Sequence, residues 1–196
     1  MANAPYLKKF RGFIRSPAGF SQVGEMEQEF YLGSDRAAVI LQSANIERSL
    51  ETLLMAKMRR QLSEDVKGRI FEGYGPLSTF SAKILMGYAL DLYGPVFRHD
   101  LDIIKELRNG FAHVRLPLQL TQPELSGMCA NLMLPDDRNY GWLPMAFSEK
   151  YTLEIVTDDK HPRTRFTRAC HSISLCFIEL REHLLGSQYG VFRTLP

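Results

Sequence analysis

Cysteine is scarce in this 196-residue chain: Cys129, Cys170 and Cys176 are an odd number at irregular spacing, with no CxxC pair. That excludes a disulfide framework and leaves no recognisable zinc ligand set. Cys170 and Cys176 fall inside a helical pattern, so buried apolar thiols and a reducing cytoplasm are expected. Net charge is nearly absent too, since 24 Lys+Arg stand against 22 Asp+Glu for a formal +2. A domain that wraps DNA is normally strongly basic, so direct sequence-specific DNA binding is not expected, although local patches remain open. No uninterrupted apolar run approaches the roughly 18 residues that span a bilayer, and no membrane span is expected. GxSxG, HExxH and GxGxxG arrangements are missing, and neither a metal nor a cofactor is expected.

What is present is an ordinary globular composition, 45% hydrophobic and 23% charged, which excludes disorder and fibrous repeats. The length suits one domain with a real core. Residues 1–33 read as a basic arm or short helix, with Lys8, Lys9, Arg11 and Arg15 beside Tyr6, Phe10, Phe13 and Ile14 at helical spacing. A membrane-surface helix uses such a pattern, but the arm lacks the apolar core of a signal peptide. Residues 34–186 then form a helical domain, and 187–196 a tail.

Within that domain Ser34 caps a long helix to about Arg60, with Val39, Ile46, Leu50, Leu53 or Leu54 and Met58 as its buried stripe. Ser63 opens a short helix whose Val66, Ile70 and Phe71 face inward, and Gly73 to Pro76 end it. The next helix starts near Leu77 and stacks Phe80, Ile84, Tyr88 and Leu92 up to Gly94-Pro95. A fourth runs from about Val96 to His113 with Asp100, Ile103, Leu107, Phe111 and Val114 near one face. On a second face, His99, Asp102, Glu106, Asn109 and His113 repeat at 3-4-3-4 spacing. Thr121 and Glu124 form a capping box for a helix to about Met133. Residues 147–156 tolerate a short strand pair, and Phe166, Cys170, Ile173, Phe177, Leu180 and Leu184 mark a last helix stopped by Gly186. The expectation is all-α: a single-domain multi-helix bundle with at most a short β excursion.

Three constellations carry candidate chemistry. Arg108-Asn109-Gly110-Phe111-Ala112-His113 supplies a guanidinium to grip a phosphate and an imidazole that titrates near neutrality. RNA brings its own 2′-hydroxyl nucleophile, so no metal is needed. Five residues turn an ideal helix by ~140°, however, so Arg108 and His113 do not share a face, whereas Asn109 and His113 do. Spacing alone favours a structural reading, with Arg108 paired to an acid and His113 at a helix C-terminus. The stripe His99 to His113 offers metal-compatible spacing but no second ligand-rich helix, which favours a solvated face or polar interface. Arg163, Arg165 and Arg168 crowd the start of the last helix after Lys160 and His161. There they would bind phosphate, or be neutralised by Asp158, Asp159 or a carboxylate elsewhere. The Gly75–Ser81 segment with Lys83 lacks nucleotide-loop spacing, and capping explains it. No helix-turn-helix is visible, because Leu77–Leu92 is too apolar to read a groove.

The blocks Gly75-Pro76-Leu77-Ser78-Thr79-Phe80-Ser81-Ala82-Lys83-Ile84, Met86-Gly87-Tyr88-Ala89-Leu90 and Asp102 to His113 resemble the bacterial mannitol operon repressor family. The likeness runs from about Ser34 to Leu132 and returns at Arg163–Leu180. It implies an all-helical regulator of sugar-alcohol uptake genes that acts through partners and has no standard DNA-binding motif. The RNxxxH block is also similar to that of the HEPN superfamily of helical domains. Its ribonuclease members are dimeric and metal-independent, and they use Arg and His at positions matching Arg108 and His113, with a polar residue at Asn109. Many relatives keep that scaffold without cleaving RNA.

Together these readings lead to a cytoplasmic, dimeric, non-enzymatic repressor of transcription working through protein contacts. The alternative is a ribonuclease in which His113 is acid/base, Arg108 steadies phosphate and Asn109 orients the site. A third reading, DNA binding through Arg163, Arg165 and Arg168, predicts steep salt dependence.

Overall fold

A computed structural model describes residues 33–58, 62–133 and 160–186. The expected strand pair at 147–156, the tail 187–196, Asp158, Asp159 and all but the last residue of the 1–33 arm lie outside the described residues. Among the described residues there are six helices: α1 (Asp35–Lys57), α2 (Glu64–Phe71), α3 (Phe80–Ala89), α4 (Pro95–His113), α5 (Pro123–Ala130) and α6 (Pro162–Leu184). Among the described residues there is no strand.

Local chemistry sets the helix starts. Ser34 Oγ accepts from Ala37 N–H at 3.2 Å, Ser63 Oγ from Val66 N–H at 3.4 Å and Thr79 Oγ1 from Ala82 N–H at 3.2 Å. Each satisfies an amide that the first helical turn leaves without a partner. In α4, α5 and α6 proline takes the first position, where the missing N–H does no harm.

Long α1 is the spine, packed against α3, α4 and α6. Its Val39, Ile46, Leu50, Leu53 and Leu54 are fully buried beside Phe97, Leu101, Ile104 and Phe111 of α4 and Phe166 and Ile173 of α6. Each such side chain contributes about 1.5–3 kcal/mol when removed from water. Tyr93, Phe97 and Phe177 form an aromatic cluster with centroids 5.7–6.3 Å apart, joining the α3–α4 turn to α6. Gly87 makes that possible, because a Cβ there would lie 2.5 Å from the Tyr93 hydroxyl. That hydroxyl donates to the Ile84 carbonyl at 2.8 Å.

Several local expectations need correction. Helix α3 begins at Phe80 rather than Leu77, because Gly75 and Ser78 close turns. A Cβ on Gly75 would strike the Ile70 carbonyl at 2.4 Å, so the loop is pressed against the end of α2. Val66 and Tyr88 face solvent, Tyr88 lying under the Arg98 guanidinium at 4.6 Å. Val114 is exposed beyond the end of α4. The Thr121–Glu124 box does not form: Gln122 is the N-cap of α5, without a side-chain cap hydrogen bond, and the helix ends at Ala130.

Candidate functional site around Arg108

Helix α4 buries one side and wets the other. Phe97, Asp100, Leu101, Ile104, Leu107 and Phe111 are buried, while His99, Glu106 and His113 are exposed. Asp100 is a buried carboxylate whose two oxygens each accept from the Met133 N–H at 3.0 Å. On the polar side Lys105 reaches Asp102 at 3.0 Å and Glu106 at 3.3 Å. Burial pulls the Lys105 ammonium down, but its hydrogen bond and charge contact with Asp102, then Glu106, outweigh that and hold its pKa above the ordinary value. His99 Nε2 lies 3.2 Å from the Asn131 carbonyl. Among the described residues no three His, Cys, Asp or Glu side chains gather as a metal site. The stripe is a charged face laced by short-range ion pairs.

Arg108 points toward α1, where its Nη2 lies 3.3 Å from Glu47 Oε2. The other Glu47 oxygen meets Lys83 Nζ at 3.0 Å, and Lys83 also meets Glu51 Oε2 at 2.7 Å. Lys83 is buried, so a cation from α3 sits beneath two carboxylates one turn apart on α1. Two positive and two negative groups balance, which is how a charge survives burial. The blocks around Lys83 and Arg108 therefore meet at Glu47. Sequence reasoning missed Glu47, Glu51 and the burial of Lys83. The available signal was Glu47 and Glu51 at i, i+4 beside an apolar stripe, with Lys83 next to Ile84 in an apolar helix.

His113 is the last residue of α4, where a cation suits the helix dipole. Asn109, one turn earlier, is half-buried. Just past His113, Arg36 of α1 donates through Nη2 to the carbonyls of Val114 at 2.8 Å and Leu116 at 2.9 Å.

The Arg163–Arg168 cluster meets protein groups. Arg163 pairs with Asp35 at 3.2 Å, and the second Asp35 oxygen accepts from Leu120 N–H at 2.8 Å. Arg165 donates to the carbonyls of Cys129, Ala130 and Leu132 at 3.1, 3.4 and 2.6 Å, and so covers the C-terminal end of α5. Arg168 is half-buried. His161 caps α6 through Nδ1, which accepts from Arg163 N–H at 3.3 Å.

All three thiols are buried. Burial first, and then the nearby Asp35 charge against an opposing Arg165, pushes Cys129 up to about 12. Burial likewise raises Cys170 and Cys176, so none of the three is a thiolate nucleophile at neutral pH. Among the described residues no helix is long and apolar enough to cross a membrane. Compared with known families, curated proteins and solved structures, the chain matches none.

Proposed function

We propose that this chain is a cytoplasmic, dimeric regulator of the mannitol-repressor type with a HEPN-like helical bundle, acting on transcription through protein contacts. The observation that carries this reading is the outward side of the 70–90 block. Tyr74 is fully exposed, and Leu85 (58%) and Tyr88 (36%) are exposed on α3. Tyr74 rides on a loop held by the Gly75 N–H to Glu72 carbonyl bond and the Leu77 N–H to Ile70 carbonyl bond, both 2.9 Å. An exposed aromatic side chain on a backbone already held in place spares a partner the cost of ordering the loop, which favours a protein contact. Arg163 and Arg165, the cations a DNA reader would need, are engaged by the protein's own groups.

The test is genetic. Deleting the gene should raise transcripts for sugar-alcohol uptake, and wild-type protein should restore repression where Tyr74→Ala/Leu85→Ala protein, equally abundant, does not. Unchanged transcripts on deletion would overturn this reading. A gel shift by the purified protein alone, weakening steeply with salt, would favour direct DNA binding instead.

A second reading has its own support: His113 is exposed with Asn109 one turn before it, and Arg108 keeps 35% of its side chain in solvent. As a ribonuclease, neutral His113 takes the 2′-hydroxyl proton while that oxygen bonds to phosphorus. The phosphorus–O5′ bond breaks, and the departing oxygen takes a proton from an imidazolium or water. The products are a 2′,3′-cyclic phosphate and a 5′-hydroxyl, and Arg108 offsets charge on the phosphoryl oxygens. RNA cleavage in chelator, lost in Arg108→Ala and His113→Ala, is the expected result. Intact RNA across a broad substrate set removes the enzyme.

A further inference from the structure

We infer that two copies of this chain dock through the outward face of α3, antiparallel and centred on Leu85, an inference that rests on the dimeric reading. Helix α3 carries a single charged residue, Lys83, and that one is buried with Phe80, Ile84 and Gly87 on the side that meets α1 and α4. The opposite side holds Ser81, Leu85, Tyr88 and Ala89, all exposed, with Ala82 half-buried beside them. A surface helix normally turns its charges outward. One that is apolar on its outer side as well is a helix that something covers.

Charge identifies the cover. Helix α3 has no acidic residue in its first turn and no basic residue in its last, so its own side chains offset neither end of its dipole. Exposed Asp91 adds to the imbalance, because its N–H donates to the Tyr88 carbonyl at 3.0 Å and so holds an acid at the negative end of the helix. A second α3 laid antiparallel on the first corrects both ends at once. With the two-fold axis at Leu85, Asp91 of one copy comes level with Thr79, the N-cap of the other, where an acid is favoured. The same register sets Ser81 level with Ala89 and Ala82 level with Tyr88. Small side chains therefore flank Leu85, and the leucine of each copy has room to enter the surface of the other. The cation stacked on Tyr88, Arg98, is offset by Asp102 at 3.9 Å. One sequence thus supplies both halves of the contact. Ten residues span only ~15 Å, less than a standard interface, so the dimer belongs to the weak class, with Kd on the order of 10 μM.

All three native thiols are buried, so Leu85→Cys adds the one exposed thiol of the chain. The control is Ile178 on α6, exposed at 51% against 58% for Leu85. The full chain is followed by sedimentation from about 1 to 100 μM, and maleimide labelling of Leu85→Cys and Ile178→Cys is timed over the same range. Wild type and Ile178→Arg should pass from monomer to dimer. Leu85→Arg should stay monomeric, a loss in affinity of at least about 30-fold, while melting within about 2 °C of wild type. The Leu85→Cys thiol should label more slowly as protein concentration rises, and the Ile178→Cys thiol at one rate throughout. A dimer that survives Leu85→Arg overturns docking through α3 and leaves the dimeric reading standing. Wild type that is monomeric at every concentration overturns both. Protection of the Leu85→Cys thiol that does not change with concentration places another part of the same chain over α3, and it too overturns the docking.

Discussion

At its first residue α1 meets α6 through Asp35 and Arg163, and at mid-length it meets α4 through Glu47 and Arg108. Both are arginine–carboxylate pairs of nearly equal length, 3.2 and 3.3 Å, and both acids are about equally covered, at 17% and 16% exposure. They differ in what holds the second carboxylate oxygen. For Asp35 it is a backbone N–H, that of Leu120, whereas for Glu47 it is the ammonium of Lys83. An oxygen bound to backbone cannot leave without breaking a loop, so the Asp35 pair is scaffold. An oxygen bound to another ion keeps its charge compensated if Arg108 moves. A pair of the second kind can lose one partner without leaving a buried charge alone.

The sharpest way to break this comparison is Asp35→Ala. It leaves the Leu120 N–H and the Arg163 guanidinium without their carboxylate, and a loss of about 3 kcal/mol is expected in urea unfolding. A loss below about 1 kcal/mol would make the two seams equivalent.

Alkaline pH attacks the same end of the molecule, because Cys129 and Cys170 lie in α5 and α6 and Cys176 nearly two turns further along α6. All three thiols hold their protons more tightly when folded, chiefly through burial, so unfolding releases protons once the pH exceeds the ordinary thiol value. Stability is therefore whole below about pH 8.5 and falls as pH rises toward the folded values, by about 1 kcal/mol per pH unit for each thiol. Urea midpoints at pH 8 and pH 10 check it, and replacing Cys170 by Ala should flatten the slope by about a third.

Much of this architecture was legible because it is local. Caps at Ser34 and Ser63, and the stripe Phe166 to Leu184, follow from hydroxyl chemistry and the 3.6-residue period. The period misled where it was carried one turn too far. Tyr88 continues the Phe80–Ile84 spacing, yet it lies near the end of α3, where the Arg98 guanidinium covers it instead of the core. Ion partners were the illegible part. Nothing near Arg108 or Arg163 in the chain announces Glu47 or Asp35, since helix packing selects among many acids far away in sequence. Periodicity reports which face is wet, and only tertiary packing reports which charge meets which.

Next in size is Thr167→Val. The Gln42 amide donates to Thr167 Oγ1 at 3.2 Å between α1 and α6, and both residues are buried. Removing the hydroxyl leaves a buried amide donor without its acceptor, and about 1.5 kcal/mol should be lost in thermal or urea melts. Glu47→Gln should cost less, about 1 kcal/mol, because Arg108 is partly in water and Lys83 keeps Glu51. A Glu47→Gln loss equal to that of Asp35→Ala would mean that the mid-helix pair is scaffold after all.

The smallest effect is expected at Ser43, the residue after Gln42. The two are neighbours on α1 and both buried, but Gln42 is satisfied across the α6 seam whereas the Ser43 hydroxyl has no hydrogen-bond partner among the described residues. A buried hydroxyl without a partner carries its desolvation penalty with nothing in return, so deleting it relieves that penalty while leaving only a small void. Ser43→Ala should therefore unfold within about 0.5 kcal/mol of wild type, on the stabilising side if on either. Measured beside Thr167→Val, it separates a polar group that holds two helices together from one that is merely enclosed between them. A loss above about 1 kcal/mol for Ser43→Ala would show that this hydroxyl is satisfied in solution, and the contrast between the two seams would narrow accordingly.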